Sequence, residues 1–215
     1  MKNKLPENFV YLHDIDASIR YDIKYATFDN ILGRPVLGYA KNIAVCTKPL
    51  AKKLKAVQNF LRDEGMELFV FELFRPQRAS LDIKQWIEDL TDQKTKAQYY
   101  PRVDKSRFYL DNYFLEYSAH TRGAAVDLTI MNSKTGKLLD MGTVFDFMDV
   151  RSHPNNQDVN ECAYKHRQFL LKIMQENGFY GIDTEWWHFN LVDEPFPETY
   201  FDFEINTVST IAILT

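Results

Sequence analysis

The sequence predicts an α+β fold in which helices pack on one face of a mainly antiparallel sheet. Amphipathic helix patterns and β-rich runs are both present, and they occupy separate stretches of the chain. In addition, the 215 residues contain no repeat, low-complexity tract or Pro-rich linker that would mark a boundary between folding units. We therefore expect a single domain over residues 1–215.

The first 48 residues are expected to wrap around the rest of this domain. Their aromatic and β-branched runs are short, and turn signals at residues 29–30, at residues 33–35 and at Gly38 interrupt them. This pattern is typical of short strands or extended loops joined by turns.

Three helices are predicted after this segment. In the first, leucine and valine recur at three- and four-residue intervals opposite lysines, as in an amphipathic helix. The third ends at an Asn-Gly pair, which is an expected C-terminal stop. The first helix begins at Pro49, and the other two span residues 80–90 and 159–176.

Three β-rich runs supply the predicted sheet, at residues 67–74, 124–131 and 186–192. The first run stops just before a proline, so Arg75 is expected where a core strand emerges. The polar stretch 91–105 is expected to be an excursion over the surface.

The apolar tail at residues 207–215 has two interpretations. It is either an edge strand packed on its own sheet, which we favour, or a contact between subunits. The oligomeric state is therefore left open.

Composition limits the classes of function. Thirty acidic and 26 basic side chains give a net charge of −4, so no basic excess gathers phosphates, and binding to a small polar substrate is expected rather than to nucleic acid. No stretch reaches the roughly 18 apolar residues that span a bilayer. Residues 1–8 lack the apolar core of a signal peptide, which predicts a cytoplasmic protein, or a periplasmic one if a signal peptide has been removed. Cys46 and Cys162 are expected to be reduced core thiols.

Two short segments concentrate side chains that bind metals and transfer protons, and the first contains Ser118, His120, Gly123 and Asp127. In a strand, Ala125 and Gly123 share the face of Asp127, so no bulky side chain stands beside that carboxylate. His120 lies seven residues before Asp127, a spacing that a regular strand would send to the opposite face. A bend at Gly123 would bring both side chains inward as two ligands of one metal.

The second segment, residues 185–188, comes just before a strand-like run. His188 would complete a set of two nitrogens and one carboxylate oxygen, which a catalytic zinc typically uses while it keeps a fourth position for water. Glu185 is then the candidate general base, and Arg75 could stabilise the charge that develops on a carbonyl oxygen when water attacks. The remaining histidines, His13, His153 and His166, are expected to be structural or surface residues.

The two segments together resemble the D-alanyl-D-alanine dipeptidases, the VanX-type branch of the zinc D-peptidases. The patterns that carry the resemblance are S-x-H-x-x-G-x-A-x-D followed by E-x-W-H. Similar signatures occur at residues 22–30, 33–35, 74–78 and 141–146, and the whole resemblance covers residues 21–190. It implies the fold that these peptidases share with the hedgehog domains.

The resemblance also implies a chemical role for each matching position. His120, Asp127 and His188 match the ligands of one zinc ion per chain. Glu185 matches the general base, and Arg75 matches the group that stabilises the tetrahedral transition state.

Further matching positions concern the substrate. Asp146, together with Glu185, matches the acidic groups that hold the free amine of a dipeptide. Ser118 and Tyr25 match residues that line the dipeptide pocket. A carboxylate at a fixed distance from the metal would measure dipeptide length, because longer chains without an amine at that point would leave it unpaired.

Three functions are compatible with these residues. The leading hypothesis is a zinc-dependent dipeptidase that hydrolyses D-alanyl-D-alanine or a similar D,D-dipeptide in cell-wall metabolism, by metal-activated water. The first alternative is a zinc D,D-carboxypeptidase or endopeptidase acting on peptidoglycan stem peptides, against which Asp146 argues as an ammonium anchor. The second alternative is a catalytically inactive, zinc-stabilised binding domain. Glu185 and Arg75 argue against it, since a binding domain needs neither.

Overall fold

Seven strands form two sheets within residues 5–206, the part of the chain that the computed structural model describes. The strands are β1 (Phe9–Tyr11), β2 (Arg20–Tyr21), β3 (Val45–Thr47), β4 (Met66–Glu72), β5 (Ala125–Asn132), β6 (Phe179–Gly181) and β7 (His188–Leu191). The larger sheet has the order β2-β4-β5-β7-β6, in which only the β2/β4 pair is parallel. The predicted, mainly antiparallel sheet is confirmed.

Five α-helices accompany these strands in the described residues. They are α1 (Leu12–Ile15), α2 (Lys48–Asp63), α3 (Gln77–Glu88), α4 (Lys96–Tyr99) and α5 (Glu161–Glu176). The three predicted helices correspond to α2, α3 and α5. Pro49 lies in the first turn of α2, and the Asn160 side chain caps α5 by accepting a hydrogen bond from the backbone N–H of Ala163. Within this part of the chain, no helix combines the length and the apolar character needed to cross a membrane.

Side-chain alternation gives the larger sheet an apolar face and a polar face. Paired residues of antiparallel neighbours point to the same side, so Val126 and Phe189 lie together on one face. Leu171 of α5 reaches the space between Gly181 and Phe189, which places this helix on the apolar face. The side chain of Lys53 on α2 lies beside Gly178, just after the end of α5, and α2 packs on β4. The two long helices α2 and α5 thus cover one face, as predicted, and leave the other for a site.

The N-terminal residues are tied to the last described residues through an aromatic cluster. β1 pairs with β3 in the smaller antiparallel sheet, and β2 joins the edge of the larger one. The ring of Phe9 packs against Phe74, Phe201 and Phe203, with centroid distances of 4.9–5.1 Å. The predicted apolar tail, residues 207–215, lies outside the described residues.

The stretch 91–105 runs mainly over the surface, as predicted, but a few buried side chains anchor it in the core. Tyr99 and Lys105 are both buried. The Lys105 ammonium lies 4.0 Å from the ring centroid of Trp86 and donates to the carbonyl oxygen of Asp89 at 2.7 Å. The buried cation therefore satisfies backbone groups just beyond the end of α3, which the polar composition of the stretch conceals.

The two cysteines differ in their surroundings. Cys46 is buried in β3, as predicted, and burial raises the pKa of its thiol. Cys162 is exposed, so the prediction of a core thiol is wrong for this residue. It lies beside, and not on, the buried stripe of α5 to which Ala163 and Leu170 belong.

Replacing Lys105 by Met should loosen the stretch 91–105. The substitution keeps the aliphatic volume but removes the donor to the carbonyl oxygens of Asp89 and Asp92. We expect the free energy of unfolding, measured by urea denaturation, to fall by about 1–3 kcal/mol because two partly buried carbonyl oxygens lose their donor. Lys137→Met, at an exposed position, is the control and should change it by less than about 0.5 kcal/mol. Equal effects of the two substitutions would contradict the anchoring role.

Candidate metal centre and active site

One cavity contains all eight residues that the sequence singled out for chemistry. Its volume is about 280 Å³. These residues are Tyr25, Arg75, Ser118, His120, Asp127, Asp146, Glu185 and His188. They come from distant stretches of the chain, so their convergence is a property of the fold.

Three potential ligand atoms meet at the wall of this cavity. Nδ1 of His188 lies 3.0 Å from Oδ1 of Asp127 and 3.2 Å from Nε2 of His120, and the distance from His120 to Asp127 is 3.3 Å. Ligands bound at ordinary distances to a tetrahedral zinc ion are about 3.3 Å apart. The three side chains, all of which are buried, therefore form a group that could hold a metal ion.

The local backbone explains why these three side chains meet. The antiparallel register of β5 and β7 places Asp127 directly opposite His188. His120 precedes β5, and a turn closed by a hydrogen bond from Gly123 N–H to the His120 carbonyl brings it back toward Asp127. Gly123 has a φ of 71°, in the left-handed region that side chains disfavour. The predicted bend at Gly123 is confirmed.

Contacts behind the rings orient both imidazoles. Nδ1 of His120 donates to the Leu73 carbonyl oxygen at 2.7 Å, which leaves Nε2 with a lone pair toward Asp127. Nε2 of His188 lies 3.0 Å from Oδ1 of Asn190. Each ring thus turns one nitrogen to the candidate metal position and the other to a protein oxygen.

The imidazoles also determine the ionisation of Asp127. Burial favours the neutral acid, but His120 and His188 beside it hold the pKa of the Asp127 carboxyl well below its usual range. For His120, the effect of burial is opposed by the charge of Asp127, and its pKa is raised. Asp127 is consequently a carboxylate, as a metal ligand must be.

Arg75 is held by a buried carboxylate that the sequence interpretation missed. Its guanidinium donates to both oxygens of Glu72, at 2.8 and 2.5 Å, and the Tyr39 hydroxyl donates to the same carboxylate. A β-bulge between Val70 and Glu72 turns Glu72 to the polar face, opposite Asp127. The sequence feature that could have indicated Glu72 is the presence of an acidic residue within a strongly apolar run.

Asp146 and Glu185 are buried carboxyl groups at the cavity wall. Burial, followed by the negative charge of Asp127, raises the pKa of both well above the usual range. Asp146 has a φ of 61°, a conformation that Asp tolerates better than most residues. Oδ2 of Asp146 and the hydroxyl of Tyr25 are buried without a hydrogen-bond partner among the described residues. Buried polar atoms ordinarily have a hydrogen-bond partner, so these two atoms are candidates for contact with a bound molecule.

Ser118 lies where the turn before β5 begins. Its hydroxyl accepts a hydrogen bond from the backbone N–H of His120 at 3.2 Å. The adjoining residues 112–119 supply one wall of the cavity, including the exposed side chains of Leu115 and Tyr117. Apart from Ser118, no residue of this wall was predicted from the sequence.

The remaining histidines do not line the cavity. His13 is exposed beside Asp14, and His166 lies on α5 with Nδ1 2.7 Å from the Asp140 carbonyl oxygen. His153 ends a 3-10 turn. Their positions agree with the structural or surface roles predicted for them.

A sequence model of the D-ala-D-ala dipeptidase family matches residues 6–206. The chain belongs to this family. A D-alanyl-D-alanine dipeptidase of Enterococcus faecalis is 37% identical over 202 residues, which are 94% of this chain and 100% of that protein. A D-alanyl-D-alanine dipeptidase of Streptomyces coelicolor is 40% identical over 198 residues, 92% of this chain and 98% of that protein.

The family membership confirms the predicted resemblance. Among solved structures, a mutant of the vancomycin-resistance D,D-pentapeptidase VanY, in complex with Zn(II), matches with a TM-score of 0.44 and 17% identity. That match covers 72% of this chain and 76% of the other. The role of each site residue stays a prediction.

Replacing Gly123 by Ala should destabilise the turn that carries His120. The new Cβ would lie 2.7 Å from Thr47 Cγ2 and 2.9 Å from Phe9 Cε1, in addition to backbone strain of about 1–3 kcal/mol. We expect urea denaturation to show a loss in the free energy of unfolding greater than that strain alone.

The control for this substitution is Gly136→Ala. Gly136 has a φ of 67°, close to that of Gly123. Apart from its chain neighbours, however, no heavy atom of the described residues would lie within 4 Å of a Cβ at this position. It therefore reports the backbone strain without the steric clash. Equal losses in the two variants would contradict the close-packing explanation for Gly123.

Proposed function

We propose that this protein is a zinc-dependent dipeptidase that hydrolyses D-alanyl-D-alanine or a similar D,D-dipeptide in cell-wall metabolism. The observation that carries the proposal is the meeting of a three-atom metal site with Glu185 and Asp146 in one cavity. The family membership and the names of the relatives support the substrate class. The volume of about 280 Å³ lies just below the roughly 300–1,000 Å³ of pockets for drug-sized ligands, which favours a small substrate.

One zinc ion per chain is assigned to His120, Asp127 and His188. Two imidazole nitrogens and one carboxylate oxygen make up the donor set typical of hydrolytic zinc sites. When bound, zinc would supply polarisation of the substrate carbonyl and a water of lowered pKa.

Glu185 is assigned as the general base. Its carboxyl group is buried at the cavity wall, and its raised pKa lets it accept a proton nearer to neutral pH than a surface glutamate does. Water adds to the carbonyl carbon, and its proton passes to Glu185. The C–N bond then breaks as the leaving amine takes up a proton, so no covalent bond to the protein is needed.

Arg75 is assigned to the oxygen that becomes negative during this attack. The bidentate contact with Glu72 and the burial of both groups hold the guanidinium in one orientation. A donor fixed before the reaction stabilises developing charge without reorganising, which is where such groups contribute most.

Asp146, together with Glu185, is assigned to the free amine of the substrate, and Tyr25 to the lining of the dipeptide pocket. Oδ2 of Asp146 is buried without a hydrogen-bond partner among the described residues, and an ammonium group would supply the missing hydrogen bond. Ser118 lines the same cavity and contributes to the dipeptide pocket. A D,D-carboxypeptidase acting on longer stem peptides would leave Asp146 unpaired, which is why the dipeptidase is favoured. A cytoplasmic location is part of the proposal.

Replacing Glu185 by Gln should abolish turnover without removing the metal. We expect kcat to fall by about 10²- to 10⁴-fold, the usual contribution of a general base, while metal analysis still finds about one zinc per chain. His188→Asn is the control and should lose zinc together with activity. Loss of zinc from the Glu185 variant would instead assign Glu185 as a ligand.

A substrate panel tests the reaction and the ammonium anchor together. It contains D,D-, L,D- and L,L-dipeptides, N-acetyl-D-alanyl-D-alanine and an N-blocked tripeptide, each with and without chelator. We expect chelator-sensitive hydrolysis of the free D,D-dipeptide, and N-acetylation should lower kcat/KM by about 10- to 100-fold because a charged hydrogen bond is lost.

Asp146→Asn provides the matched control, because the gap between free and acetylated substrate should shrink in that variant. Full activity on the acetylated substrate would favour the carboxypeptidase. Zinc binding without hydrolysis of any member of the panel would favour the inactive binding domain.

A further inference from the structure

We propose that Asn190 is a positioning residue that favours the Nε2–H tautomer of His188 and thereby helps this side chain to offer Nδ1 to a metal. This role rests on the metal site proposed above. It accounts for the hydrogen bond between Asn190 and His188, which the roles assigned above do not use. Asn190 is buried, lies two residues after His188 on β7 and lines the same cavity.

The strand geometry places the amide behind the imidazole ring. Residues two apart in a strand point to the same face, so Asn190 and His188 share the polar face of the sheet. Oδ1 of Asn190 lies 3.0 Å from Nε2 of His188. Across the strand pair, Asn190 faces Ala125, whose methyl group leaves room for the amide.

Two tautomers of neutral His188 compete in this environment, because a neutral imidazole carries only one N–H. With the proton on Nδ1, the ring donates to the Asp127 carboxylate 3.0 Å away, and its lone pair, on Nε2, points away from the candidate metal position. With the proton on Nε2, the ring donates to Asn190, and the Nδ1 lone pair points to His120 and Asp127.

The acceptor at Asn190 therefore opposes the state in which His188 donates to Asp127 and turns no lone pair to the candidate metal position. A hydrogen bond from imidazole to a carboxylate is stronger than one between neutral groups, so the Nδ1–H tautomer would dominate if Nε2 had no partner. Partners behind a ligating histidine typically change metal affinity by about 10- to 100-fold.

An amide suits this position because the surroundings are already acidic. Carboxylates are common partners of ligating histidines. Here, however, Asp127, Asp146 and Glu185 share one cavity. Asn190 supplies an acceptor oxygen without a further negative charge.

The first measurement is the zinc dissociation constant of the full chain, by competition with a chelator and without substrate. We expect Asn190→Leu to weaken zinc binding by about 10- to 100-fold. Asn190→Asp, which can only accept, should bind zinc at least as tightly as the unmodified chain. Thr129→Val is the matched control, because Thr129 is a buried polar residue two positions after Asp127 whose hydroxyl has no partner among the described residues. It should leave the affinity unchanged.

The second measurement is the ¹⁵N NMR spectrum of the His188 ring in the metal-free protein. We expect the Nε2–H tautomer to have a larger share in the unmodified chain than in Asn190→Leu, where the population should shift toward Nδ1–H. Should that variant fail to fold, Asn190→Ala gives the same comparison. The same share of the two tautomers in the unmodified chain and in the Leu or Ala variant, or unchanged zinc affinity in either variant, would overturn the role. Asp and Leu variants that are equally weak would overturn the acceptor assignment. If the unmodified chain binds no zinc, the proposed function fails, and the NMR comparison still decides the role of Asn190.

Discussion

The antiparallel pairing of β5 with β7 is the constraint on which the site depends. It places Asp127 opposite His188 and, through the same register, Val126 beside Phe189 on the other face. A slip of one residue would exchange the two faces, because side chains alternate along a strand. Each large apolar side chain costs about 1.5–3 kcal/mol to expose, so the register is specified by the core. The ligand geometry is thus a consequence of burying the apolar face.

The charges at this end of the sheet follow from the same pairing. Glu72 faces Asp127 across β4 and β5, and Arg75 compensates Glu72 directly. Asp146 and Glu185 form no ion pair among the described residues, and burial together with the charge of Asp127 raises their pKa values. A divalent cation at the three ligands would favour their ionised forms. A metal ion at the three ligands would therefore balance the negative charge of the buried carboxyl groups around it.

The fold could be predicted where elements are long enough to show a period. α2 and α5, each of 16 residues, were placed to within two residues of their starts. β6 has three residues and α4 has four, too few for any period to appear, and both were missed. The anchoring of the stretch 91–105 was missed for another reason. A lysine in a polar stretch is expected at the surface, but Lys105 is buried over Trp86. Composition cannot show that backbone carbonyls will solvate a cation.

His120 and Asp127 could be named as candidate ligands from the sequence because a small residue, Gly123, lies between them where a bend would bring the two donors together. The groups that orient them leave weaker signals. Leu73 acts through its backbone carbonyl, which every residue has, and Glu72 reaches the site through a bulge that only strand pairing defines. Asn190 could have been found by extending the alternation two residues beyond His188. Sequence patterns therefore identify metal-binding side chains more readily than the groups that orient those side chains. Binding needs a particular side chain, whereas orientation needs only an oxygen atom in the right place.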